Sequence, residues 1–298
     1  MSPDLTSLTL VALHAVDLAE AHVRTHQPRL VTPKGDRDMT TDVDLAVERM
    51  ICEFLAKATP AFGFFGEEQG GGNTPTRWVL DPIDGTANFA RDVPLNGISL
   101  ALVHEQHAIL GIIALPFLGQ RYWAADGVGA WRNGQPITAA RTMALSDSIV
   151  AIGDYGTGPD APARNRVALA LHAHLAPRAQ RVRMLGSAAV DLVWVAGGML
   201  DASITLGNRA WDMAAGAVIA RQAGAALFDA DGTPHTTSSR FTIAAAPALR
   251  NDVLAAVQAA TRAQPAGVVA SGVAVSRSTP HTGDDHAITD RRQHSEPC

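Results

Sequence analysis

Apolar residues recur at spacings of three and four through Leu5, Leu8, Ala12, Ala15, Ala19 and Val23. That period lines up one face of an amphipathic helix, and Ser2-Pro3-Asp4 in front of it is a start signal. After a polar stretch from Thr32 to Asp38, Thr41 and Asp44 stand as T-x-x-D ahead of Val47, Ile51 and Leu55. This predicts a second helix opened by a capping box. Residues 60–66 are rich in Pro, Gly and Phe and lead into GEEQGGGNT, a segment expected to be a mobile surface loop. The period then changes. Arg77–Leu80, Ile98–Val103, Ile109–Leu115 and Arg121–Ala125 are short apolar runs of strand character, and Asn133-Gly134 is a hairpin signal. Together they predict a meander of antiparallel strands.

Near residue 150 strands and helices begin to alternate. Helical spacing runs from Ala161 to Leu175. RMLGSAAVDLVWVAGGMLDASI reads as a strand end, a tight Gly-Ser turn, a helix and a strand. AWDMAAGAVIARQAGAALFDADG reads as a helix closed by Gly224, then a strand and a turn. Phe241–Ala245 and Asn251–Ala260 add a final strand and helix. The expected fold class is α/β, with an N-terminal α+β half over 1–148 and a C-terminal α/β half over 149–262. From about Gln264 the chain is rich in Ser, Thr, His, Asp and Pro without a period, so 263–298 is expected to be a disordered tail.

Composition narrows the function. With 298 residues, 47% hydrophobic and 18% charged, the chain can bury a large core. A net charge of −5 offers no basic face for nucleic acid, so an acidic substrate needs local help from a metal or from backbone amides. Cys52 and Cys298 have no metal-ligand spacing and form no disulfide framework, which fits a cytoplasmic setting. The start lacks a signal-peptide pattern, and no apolar run approaches the ~18 residues of a membrane span. His104 and His107 flank Glu105 at a hairpin turn, a poor zinc geometry, and His172 and His174 point in different directions on a helix. Gly70-Gly71-Gly72 lacks the lysine and helix of a phosphate loop.

The chemistry concentrates in WVLDPIDGTANF, residues 78–89. Asp81 ends an apolar strand, Pro82 fixes the backbone after it, and Asp84 projects from the turn back toward Asp81. Two carboxylates with the Ile83 carbonyl between them suit a hard cation such as Mg²⁺. The free amides of Gly85 and Thr86 suit a phosphate. Alone, the pattern is equally an ordinary D-P-x-D-G turn. Glu67 and Glu68 after another apolar run, Asp212 at a helix start and Asp44 in the capping box each have a bland reading as well.

As a set, GEE, DPIDGTANF and WDMAAG, in that order, resemble the inositol monophosphatase family of Mg²⁺-dependent, lithium-sensitive phosphatases. The similarity continues in MTTDVDLAVE, GVGAWRNG and GSAAVDL and spans roughly residues 5–262. The resemblance implies a layered αβαβα sandwich with the metal site between the halves. It implies that Glu67, Asp81, the Ile83 carbonyl, Asp84 and Asp212 hold two or three Mg²⁺ ions. Thr86 with Asp44, and Glu67 through a metal, would activate the attacking water. Asp84, Gly85, Thr86, Gly186, Ser187, Ala188, Thr205 and Asp212 would contact the substrate, and Asn88 and Lys34 would lie near the site. Inositol-selective members often carry an acidic residue seven positions before the WD aspartate; here Thr205 stands there, which hydrogen-bonds without charge. Arg209, three before Asp212, faces the substrate or is a surface arginine. The expected activity is hydrolysis of a small phosphate monoester, inositol 1-phosphate first. Histidinol phosphate, fructose 1,6-bisphosphate and 3′-phosphoadenosine 5′-phosphate are alternatives, as is a non-catalytic protein-binding regulator of the same fold. The resemblance also implies a homodimer, and no nucleic-acid or membrane partner is expected.

Overall fold

The structure is a computed structural model that describes residues 4–262 apart from positions 36, 37, 73, 160 and 208; the expected tail at 263–298 lies outside the described residues. Helix α1 (Leu5–Thr25) starts at Asp4, whose carboxylate accepts from the Thr6 amide at 3.1 Å and the Ser7 hydroxyl at 2.6 Å. The polar stretch that follows is a small antiparallel hairpin, β1 (Val31–Gly35) with β2 (Asp38–Thr41). It delivers the chain to α2 (Asp42–Ala58) through the capping box. The Thr41 hydroxyl accepts from the Val43 and Asp44 amides, and the Asp44 carboxylate accepts from the Thr41 amide at 3.0 Å.

The first sheet follows: β3 (Gly63–Gly66), β4 (Gly70–Gly71), β5 (Thr76–Asp84), then the short helix α3 (Thr86–Phe89), β6 (Gly97–His104), β7 (His107–Leu115), β8 (Gln120–Ala125), β9 (Gly129–Arg132) and β10 (Gln135–Pro136). Its order is β10-β9-β8-β7-β6-β5-β3-β4. The meander is antiparallel as its alternation predicts, and only β3 joins in parallel, against β5. Asn133 and Gly134 both take positive φ, 49° and 77°, in the two-residue turn between β9 and β10.

Two expectations change here. The segment expected to be a glycine-rich mobile loop instead supplies edge pairing: β4 turns back onto Phe65 and Gly66 of β3. Glycine serves close approach there, because a Cβ on Gly71 would fall 2.0 Å from the Phe64 carbonyl oxygen. The motif strand also does not end before Asp81. β5 runs through to Asp84, with Pro82 inside the irregularity where the register with β6 shifts. A bulge is the place where a strand tolerates a residue without an N–H.

The second half contains β11 (Ile149–Ile152), α4 (Ala161–Leu175), β12 (Arg181–Arg183), α5 (Ala188–Ala196), β13 (Ala202–Thr205), α6 (Ala210–Gln222), β14 (Ala226–Phe228), β15 (Thr242–Ala245) and α7 (Arg250–Arg262). The sheet order is β12-β11-β13-β15-β14, parallel across β12, β11 and β13 and antiparallel beyond. Burial arranges these elements in five layers. Trp78 and Leu80 of β5 point into a core shared with α1 and α2. Val79, between them, points to the opposite core, where α5 and α6 lie between the two sheets. A third core joins α4 and α7 to the outer face of the second sheet. The period-2 alternation of β5 thus feeds two cores at once.

Candidate metal centre and cleft

The end of β5 meets the N-termini of α5 and α6. Ser99 of β6 donates to the Trp211 carbonyl at 3.3 Å and fixes the start of α6, which carries Asp212 in its first turn. Carboxylate oxygens of Asp81, Asp84 and Asp212 come within 4.8 Å of one another. The Asp81 carboxylate accepts from the Ile83 amide at 3.0 Å, closing the turn over Pro82. Asp84 accepts from the Ser187 hydroxyl at 2.7 Å and from the Ala189 amide, so the first turn of α5 grips it.

The electrostatics of this trio are costly without a cation. Burial, then Glu67, Asp84 and Asp212, push the Asp81 carboxyl well above its usual range. Asp84 is raised by burial to about 6 despite its donors on α5. Asp212 is raised by burial and by Asp84 and Glu67, with Arg209 opposing. Three clustered acids cannot all ionise in a desolvated place unless positive charge joins them. Hard oxygens at this spacing fit a divalent ion.

Glu67 follows β3, and its amide donates to the Leu80 carbonyl at 3.1 Å. Its carboxylate stands outside the tight trio and receives Lys34 Nζ of the β1–β2 hairpin at 2.6 Å; the same ammonium reaches Glu68 at 3.0 Å. Burial works against the Lys34 charge, but the two glutamates outweigh it and raise its pKa. Beneath them, buried Glu48 accepts from the Glu68 and Gln69 amides at 2.9 and 2.7 Å. The Thr86 hydroxyl lies 3.2 Å from Asp44 Oδ1 and 3.0 Å from the Ile83 carbonyl oxygen. Burial raises Asp44 to about 6 against the hydrogen bonds from Thr41. Gly85 takes φ 88° at the start of α3, and Asn88 ties that helix to the Leu95 and Leu185 carbonyls at 2.7 and 2.8 Å.

A cleft of about 420 Å³ opens beside the trio. Glu67, Asp84, Asp212, Gly186, Ser187, Ala188 and Thr205 line it, and so does Arg209, stacked 5.5 Å above the Trp211 ring. Asp81, Ile83, Gly85, Thr86 and Asp44 are not among its lining residues. The cleft also takes in Asp38, Asp154, Asp191 and Arg164, which sequence reasoning did not single out. Two of them carried a signal. Asp191 is the lone charge in the apolar α5, AAVDLVWVA, and Asp154 stands just after the apolar strand β11, past Gly153. Asp38 and Arg164 carried none.

Comparison with known proteins places this geometry in company. A model described as the inositol monophosphatase family matches residues 5–262. The inositol-1-monophosphatase ImpA of Mycolicibacterium smegmatis is 36% identical over 257 residues, covering 85% of this chain and 93% of the relative. A protein named Nus factor SuhB from Xylella fastidiosa is 32% identical over 231 residues, covering 77% of this chain and 83% of that protein. Among solved structures, an IMPase from Thermotoga maritima superposes with a TM-score of 0.79 at 27% identity, covering 85% of this chain and 98% of its own.

Proposed function

The chain belongs to the inositol monophosphatase family, and from that premise we propose that it is a Mg²⁺-dependent phosphatase whose first substrate is inositol 1-phosphate. The observation that carries the reading is the convergence of the Asp81, Asp84 and Asp212 carboxylates within 4.8 Å of one another beside an open cleft. Asp81, Asp84, Asp212, Glu67 and the Ile83 carbonyl would hold two or three Mg²⁺ ions. Such ions, when bound, neutralise the ester, lower the pKa of a water and stabilise the leaving alkoxide.

The chain's own groups do the rest. The Thr86 hydroxyl accepts a hydrogen bond from the attacking water and passes its own proton toward Asp44 Oδ1, 3.2 Å away. The Gly85 and Thr86 amides donate to the phosphoryl oxygens. Ser187 and the Ala189 amide hold Asp84 in one orientation, so the ester meets a fixed carboxylate. Gly186, Ser187, Ala188 and Thr205 face the alcohol part. No side chain needs to act as a covalent nucleophile. A cytoplasmic homodimer belongs to the same proposal; among the described residues no helix is long and apolar enough to cross a membrane.

Phosphate release from inositol 1-phosphate, followed with and without Mg²⁺, tests the reading. Asp84→Asn should lower the Mg²⁺-dependent rate by more than about a hundredfold, because even changes around a ligand cost 10–100-fold. Wild-type turnover in that variant sinks the ligand assignment. A purely non-catalytic regulator would show no turnover at all, and the retention of every carboxylate counts against it.

A further inference from the structure

Resting on the phosphatase reading, we propose that Glu48 is a positioning residue, whose carboxylate clamps the turn that carries Glu67 and so sets the protein's grip on divalent metal. Glu67, Glu68 and Gln69 are the whole connection between β3 and β4. Each of their amides is anchored. That of Glu67 donates to the Leu80 carbonyl at 3.1 Å, next to Asp81 on β5. Those of Glu68 and Gln69 donate to the two oxygens of one carboxylate, Glu48 Oε2 at 2.9 Å and Oε1 at 2.7 Å. The backbone at Glu67 is thus tied on one side to the strand of the aspartates and on the other to α2. A carboxylate offers two acceptor oxygens, so a single side chain can hold two successive amides.

Glu48 sits one turn beyond Asp44 on α2, and both are 0% exposed. Residues four apart share a helix face. One carboxylate on that face lies 3.2 Å from the Thr86 hydroxyl, and the other holds the Glu67 turn. A single helix therefore fixes the water-activating pair relative to the ligand. The glycine of GEE belongs to the same arrangement. A Cβ on Gly66 would stand 2.3 Å from Glu48 Cδ, so only glycine lets the carboxylate lie against the backbone just before Glu67.

The position is expensive for a structural cap alone. Burial pushes the Glu48 carboxyl above its usual range, the two amides pull the other way, and the charges of Glu68 and Glu67 push it up again. Short neutral side chains can satisfy the amides of a turn without burying a charge. A charged acceptor holds an amide more firmly than a neutral one. Firm support is what a metal ligand carried on a turn requires.

Mg²⁺ binding to the full chain, followed by isothermal titration calorimetry, tests the proposal alongside phosphate release. Glu48→Gln keeps the volume, retains one acceptor and turns a donor toward the other amide. It should weaken Mg²⁺ binding at least about tenfold, the scale of losing a partner behind a ligand, while urea unfolding in a chelating buffer stays cooperative. Glu48→Asp keeps the charge, withdraws it from the turn by one methylene and should show the same loss; it reads the proposal where the glutamine variant does not fold. In a Glu67→Gln background, Glu48→Gln should weaken binding little further, because Glu48 acts through Glu67. Unchanged Mg²⁺ affinity in both Glu48 variants overturns the inference, as do losses that multiply fully with that of Glu67→Gln. Failure of both variants to fold overturns it as well, since Glu48 would then serve the fold alone. In those outcomes the phosphatase reading still stands. A wild-type chain that neither binds Mg²⁺ nor releases phosphate overturns that reading and this inference with it.

Discussion

Asp84→Asn probes the carboxylate trio through stability as well as activity, and the sign of its pH dependence is fixed by the structure. Asp84 is 8% exposed and its pKa is raised from 3.8 to about 6, first by burial. The folded protein therefore keeps a proton at Asp84 over a range where the unfolded chain has released it. Stability falls as pH rises whenever the native state binds more protons. At 1.36 kcal/mol per pH unit, the rise from 3.8 to about 6 costs about 3 kcal/mol, reached once the pH exceeds the folded value. Below pH 3.8 the cost is absent. The asparagine variant does not titrate, and its loss of one acceptor opposite Ser187 and Ala189 is a pH-independent cost of about 1 kcal/mol. The difference in unfolding free energy between variant and wild type should therefore drift by about 2 kcal/mol in favour of the variant between pH 4 and pH 7. Urea denaturation in a chelating buffer measures it. Saturating Mg²⁺ should then stabilise wild type by about 2.7 kcal/mol at a hundredfold excess over Kd and should leave the variant nearly unmoved. Parallel pH profiles in the chelating buffer would refute the argument, since they would mean that Asp84 titrates alike in the folded and unfolded chains.

Three further outcomes follow from single contacts. Thr41→Ala removes the cap of α2 and should cost about 1 kcal/mol in urea denaturation; an unchanged midpoint contradicts the capping box. Lys34→Met removes the ammonium 2.6 Å from Glu67 Oε1 and should tighten the apparent Mg²⁺ affinity in activity titrations, because a competing cation is gone; weaker affinity would show that Lys34 supports the site. Gly111→Ala places a Cβ 2.5 Å from the Ala215 carbonyl oxygen, where α6 rests on β7, and should cost about 1–3 kcal/mol of thermal stability; a neutral effect would mean that α6 lifts off easily.

Much of this was legible in the chain because local signals agreed with the tertiary answer. The boundaries of α4 and the existence of the β6–β7–β8 meander follow directly from apolar periodicity. Where the reading failed, a residue type served an unusual purpose. Gly70 and Gly71 look like loop residues, yet both pair with β3, and Gly71 lets the strand edge press against the Phe64 backbone. Pro82 looks like a strand terminator, yet it occupies a bulge. The motif acids were legible as a set and not singly, since each has a local role: Asp44 caps a helix, and Asp212 sits in a helical first turn. Arg164 was invisible because its place on the cleft depends on tertiary packing, against Gly156 and the distant Gly207, that no local pattern announces.

The placement of the trio explains why three acids stay so close together. Asp81 and Asp84 ride on β5, whose faces feed two separate cores, and Asp212 begins α6, which packs between both sheets. These are among the most constrained positions in the molecule, so the carboxylates cannot relieve their repulsion by moving apart into water. Burial raises their proton affinities, and that energy becomes available to any cation that enters. Shifting the trio to a surface loop would remove the repulsion and the cation affinity together. A junction of packed layers thus holds the three acids together, and the same packing that raises their proton affinities would favour a bound cation.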